Sequence, residues 1–104
     1  MVSVLFYCTG KPGCEARLRE VLGAMQKVSR EQDGAVSYTF MQQADAPDEW
    51  ALFEQWRDKA HLGAHVENMK KRFGEPPAGA RLPARLHALV EQSSFTFYRA
   101  LGSA

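Results

Sequence analysis

Residues 53–73 read FEQWRDKAHLGAHVENMKKRF. A strand-like alternating run ends at Trp56. Asp58 then stands where a short carboxylate can accept from the free amides of a first helical turn. Leu62, His65, Val66, Met69 and Phe73 follow at spacings of three and four, the inward stripe of an amphipathic helix. Gly74 comes next, as the residue that tolerates the turn just past a helix C-terminus. The stretch is a strand, a tight turn and a helix, and the helix carries an imidazole among apolar side chains.

Upstream, residues 2–9 (VSVLFYCT) are β-branched and aromatic, as a first strand requires. Lys11, Pro12 and Gly13 form a turn. Leu18, Val21, Leu22, Met25 and Val28 place a helix over roughly 14–32, ended by Asp33 and Gly34. Val36, Tyr38 and Phe40 alternate with Ser37 and Thr39 in a second strand over 35–42. The proline-bearing ADAPDE, residues 44–49, reads as a hairpin loop, so the third strand runs from Trp50 to Trp56. Downstream, EPPAGARLP (75–83) is loop-like, ARLHALV (84–90) suits two turns of helix, and QSSFTFYRA (92–100) forms a fourth strand.

The order β-α-β-β-α-β is the ferredoxin-like α+β arrangement, a four-stranded antiparallel sheet with both helices on one face. At 104 residues the chain holds one domain, spanning 1–104. Its strands are apolar on both faces: Val4 and Phe6 oppose Leu5 and Tyr7, Leu52 and Trp56 oppose Phe53, and Phe95 and Phe97 oppose Tyr98. Two helices cover only one face, and an open apolar sheet calls for a partner. A two-fold homodimer through the sheets, closing a dimeric α+β barrel, is the simplest expectation.

Composition narrows the partners. A formal net charge of +1 makes no electrostatic case for nucleic acid or an anionic membrane. Lys70, Lys71 and Arg72, the densest basic cluster, read as a solvated helix face. No apolar run reaches the ~18 residues that span a bilayer. MVSVLFYCTG lacks the basic and small-residue features of a signal peptide. Cys8 and Cys14 make no disulfide framework and read as free buried thiols, in keeping with a cytoplasmic location. His61 and His65 have the spacing of helical metal ligands, but no third ligand accompanies them, so no metal is expected. Phosphate loops, GxSxG and CxxC are all missing.

Residues 52–73, with their Glu-x-Trp, short turn and His-Leu-x-x-His pattern, resemble the antibiotic biosynthesis monooxygenase group of dimeric α+β barrels, which includes quinol monooxygenases. The likeness extends more weakly to the KPG turn, the first helix and the Gly34 turn. It departs from the haem-degrading members, which carry tryptophan at the position of His65 and asparagine at that of Phe6. It also leaves the 75–90 segment longer than in quinol monooxygenases. The resemblance implies a cofactor-independent monooxygenase that uses neither metal nor flavin and acts on a small quinol-type or polycyclic aromatic. Two alternatives share the fold: a non-enzymatic barrel that binds a small apolar ligand, and an isomerase.

Such oxygenation needs an apolar pocket, donors for an anion, and a base near neutral pKa. His65, Glu54 and Trp56 are the catalytic candidates. Histidine has the suitable unperturbed pKa, about 6.5; His65 is either this base or a scaffold tying its helix to the sheet. Glu54 shares a strand face with Leu52 and Trp56, where it can pair with a base or with an arginine such as Arg99. Trp56 either walls a flat ring or belongs to the dimer core. Leu52, Phe6, Tyr38 and Met69 are the candidate substrate-binding residues, between sheet and helices.

Overall fold

The computed structural model describes residues 1–102. Its elements are β1 (Val2–Gly10), α1 (Glu15–Arg30), β2 (Ala35–Gln43), β3 (Ala46–Trp56), α2 (Lys59–Phe73), α3 (Ala84–His87) and β4 (Val90–Arg99). The four strands form one antiparallel sheet in the order β2-β3-β1-β4. This is the expected ferredoxin-like α+β fold.

Alternation decides which side chains the helices cover. Val4, Phe6 and Cys8 of β1 are buried, as are Trp50, Leu52, Glu54 and Trp56 of β3. Phe6, Cys8, Trp50, Leu52 and Trp56 share one core with Leu18, Leu22 and Met25 of α1 and with Met69 and Phe73 of α2. On the opposite face Tyr7 and Tyr98 are each 50% exposed and Leu5 and Phe53 half-covered. Serines and threonines such as Ser94, Thr96 and Thr39 lie among them, so that face is mixed rather than uniformly apolar.

The larger departures from the sequence reading lie around β3 and β4, the other ends shifting by no more than two residues. The expected ADAPDE loop contracts to a turn at Ala44 and Asp45, and β3 begins at Ala46 instead of Trp50. Pro47 is accommodated because the register shifts there: Gln43 faces Ala46 while Gln42 faces Trp50, leaving Pro47 outside the β2 ladder. The second expected turn of helix after Ala84 does not form. Residues 84–87 make a single turn and β4 starts at Val90.

The turn between α1 and β2 is pinned from two sides. Gln32 donates its N–H to Ser29 and accepts from Ala35, and Gly34 accepts from the Arg57 amide at 2.8 Å. Gly34 has φ +85°, and a Cβ there would run into the His61 ring. Only glycine fits both the left-handed backbone and the close approach. The start of α2 is fixed by Asp58, whose Oδ1 accepts from the His61 N–H at 2.9 Å. Gly74 ends the helix at φ +99° with its N–H on the Lys70 carbonyl.

Candidate functional site

Between the sheet, α2 and the 75–83 loop lies a cavity of about 660 Å³. Phe6, Leu52, Tyr38, Met69, His65 and Glu54 all contribute to its walls. Six of the seven candidates from the sequence thus meet in one place. Trp56, the seventh, is fully buried and does not line the cavity. It stands behind the wall and faces the helices, so it is neither a wall for a ring nor part of the open sheet face.

His65 is 5% exposed. Its Nδ1 lies 2.8 Å from Gln32 Oε1; with the amide oxygen facing the ring, that contact puts the ring proton on Nδ1 and leaves the lone pair on Nε2. Nε2 is directed toward Glu54, with Oε1 at 3.7 Å. One ring face stacks on the Trp56 indole, centroids 4.4 Å apart, and the Tyr38 ring meets it edge-on at 5.3 Å. The imidazole is therefore held in one orientation.

Glu54 is 4% exposed and accepts from Trp56 Nε1 at 2.6 Å through the same oxygen. The expected arginine partnership does not form, since β1 separates Glu54 from β4: Val4 stands opposite both Glu54 and Phe97. Burial pushes the Glu54 carboxyl up to about 7, opposed by the indole hydrogen bond. Burial pushes His65 the other way, down to about 4. Near neutral pH the pair holds a neutral imidazole beside a carboxyl that is partly ionised. Burial also raises the Tyr38 phenol, with the Glu54 charge adding to the effect.

The other two tyrosines, His61 and the cysteines stand apart. Tyr7 and Tyr98 are on the open sheet face. His61 lies outside the cavity, between Asp58 and Asp33, whose hydrogen bonds hold its pKa up. Cys8 and Cys14 are free and buried, and burial pushes the Cys8 thiol up to about 12. Among the described residues no group of three or more His, Cys, Asp or Glu side chains is placed to hold a metal ion.

A sequence model of the antibiotic biosynthesis monooxygenase family matches residues 1–71. The chain belongs to that family. Solved structures repeat its fold: a conserved Methanosarcina mazei Go1 protein has a TM-score of 0.78 at 17% identity, over 94% of this chain and 90% of its own. A Mycobacterium tuberculosis protein scores 0.72 at 25% identity, over 99% and 97%. A variant of SnoaB, a cofactor-independent oxygenase from Streptomyces nogalater, scores 0.73 at 18% identity, over 95% and 91%. No characterised protein in a curated set matches significantly.

The family match stops at residue 71, short of the loop that closes this chain's cavity. That loop carries Arg81, which the sequence reading passed over. Lys70, grouped there with a solvated face, lines the cavity instead. Gln32 was also missed, because nothing in sequence marks a turn residue as the partner of a histidine on another element.

Proposed function

We propose that the protein is a cofactor-independent monooxygenase that acts on a small quinol-type or polycyclic aromatic. The reading rests above all on one observation, a His65 oriented by Gln32 and paired with Glu54 at the wall of an apolar cavity. Family membership and the likeness to an oxygenase fold support it.

In this reading the flat ring lies among Phe6, Leu52, Tyr38 and Met69. His65 Nε2 takes the phenolic proton; because burial holds this imidazole at about 4, below the neutral range a free histidine offers, the transfer relies on the Glu54 carboxylate beside it to stabilise the imidazolium that results. Gln32 holds the Nδ1 proton throughout. The electron-rich anion then reacts with O₂. One oxygen atom enters the product and the other leaves as water. The substrate supplies both electron pairs, one from the C–H bond that becomes C–O and one from the oxidation of quinol to quinone. No outside reductant is called for.

The same proposal includes a homodimer joined through the Tyr7, Phe53 and Tyr98 face, an arrangement that would cover its exposed rings. Two buried free thiols suit the reducing cytoplasm. Among the described residues no helix is long and apolar enough to cross a membrane.

Oxygen uptake with a panel of quinols, in protein treated with chelator, tests the reading. Uptake stoichiometric with quinone and abolished in His65→Ala is the expected result. Tight binding of the panel without any uptake would overturn it and leave a ligand-binding barrel or an isomerase.

A further inference from the structure

The cavity is apolar inside but charged at its mouth. Lys70 of α2 and Arg81 of the 75–83 loop line it, with Glu75 as the acidic group on the same rim. Lys70 is engaged by Glu67 at 3.3 Å. Arg81 is different. Among the described residues no carboxylate reaches salt-bridge distance of its guanidinium, which lies 5.0 Å above the Phe95 ring. Phe95 in turn packs on Phe6 at 4.6 Å. The cation is held over the cavity wall by an aromatic face, leaving its donor edges free.

Arg81 and His65 lie toward opposite sides of the sheet. His65 stands over Trp56 and Tyr38, on β3 and β2, whereas Arg81 stands over Phe95, on β4. From Glu54 on β3 to Phe95 on β4 is two strand spacings across and two residues along, about 12 Å. That span suits a fused two- or three-ring molecule. Any charge on such a molecule would be costly among Val4, Phe6 and Leu52 and has to sit at the rim.

Building on the reading of this cavity as a site for hydroxylated aromatics, we infer that its ligands are hydroxyaryl carboxylic acids. The hydroxyl faces the His65–Glu54 pair and the carboxylate at the far end is bound by Arg81. A guanidinium with free donors matches a carboxylate in a two-point hydrogen bond, the geometry that distinguishes arginine from lysine. The loop that carries it lies beyond the residues the family model matches, so this subsite would set one member's substrate class apart from a shared reaction.

The test uses two probes that do not react with oxygen, 6-hydroxy-2-naphthoate and 2-naphthol, titrated calorimetrically at neutral pH. The expected result is a preference of tenfold or more for the acid, in line with a charge-assisted pair. The preference should shrink in high salt, collapse toward unity in Arg81→Ala and return in part in Arg81→Lys. Equal affinities in the parent, or a preference that survives Arg81→Ala, would overturn the inference alone. Failure of both probes to bind would overturn it together with the aromatic-pocket reading. A clear preference between the probes, together with no oxygen uptake from the quinol panel, would uphold the substrate class while removing the oxygenase.

Discussion

The His65 imidazole lies stacked on the Trp56 indole, ring centroids 4.4 Å apart and planes 29° from parallel. The same indole donates to Glu54, so one side chain positions both members of the proposed acid–base pair. A helix that needed only a filler at this position would take leucine; the imidazole is held from three sides.

Replacing His65 with alanine separates chemistry from scaffolding. Removal leaves Gln32 Oε1 without its donor and the indole without its stacked ring, a loss on the order of 1–3 kcal/mol. If His65 is the base, turnover per folded molecule falls by roughly 10²–10⁴. Thermal melts run beside single-turnover rates give both numbers. Full turnover in a destabilised but folded variant would make the histidine structural.

Glu54 and His65 pull stability in opposite directions with pH. Glu54 binds its proton more tightly folded than unfolded, so its contribution favours the native state at low pH and is lost as pH rises from about 4.5 to about 7. His65 binds its proton less tightly folded, so its contribution grows as pH rises from about 4 to about 6.5. The two oppose each other across that shared window. Glu54→Gln removes the first, and its melting temperature relative to the parent should climb between pH 4.5 and 7. The parent's kcat/KM should rise with pH near 7 as Glu54 ionises, and the same substitution should remove that rise. A relative stability independent of pH would show that Glu54 titrates normally.

Gln32→Leu keeps the side chain's bulk and removes its acceptor. In the parent, ¹⁵N spectra of the His65 ring should show the proton on Nδ1 and a bare Nε2. In the variant the proton should move in part to Nε2, where Glu54 can accept it. Turnover should fall, and the melt should drop by no more than the ~1–3 kcal/mol that an unpartnered nitrogen on the buried ring costs. An unchanged ring spectrum would mean that Gln32 does not set the tautomer.

The element order, the Asp58 cap and the inward turn of His65 were all legible in sequence, because each rests on spacing within one element. Asp58 needs only His61 three residues on, and the His65 stripe needs only its own helix. What crossed elements was not legible. Gln32 meets His65 across 33 positions of chain, and Lys70 leaves the solvated face because a loop folds over its helix to form a rim. Pro47 misled for a different reason: local propensity argues against a strand, and the register shift that accommodates it is a property of two strands together.

The open sheet face gives the oligomer its own test. Light scattering should report a dimer for the parent, and Tyr7→Glu should shift it toward monomer by placing charges on the interface. A parent that remains monomeric at micromolar concentration removes the homodimer.

The position of β1 governs how the protein assembles. Val2 faces Trp56 on one side and Arg99 on the other, so both ladders of this interior strand close long loops. That entropy has to be met before the ladder contributes any hydrogen bonds, which makes these ladders slower to form than local helical contacts. The β2–β3 hairpin can form early and alone, whereas the cavity floor crosses all four strands. Phe95 and Phe97 reach it only when β4 zips onto β1. Ligand affinity should therefore be regained in the last phase of refolding, and a competent pocket serves as a readout that the final ladder has closed.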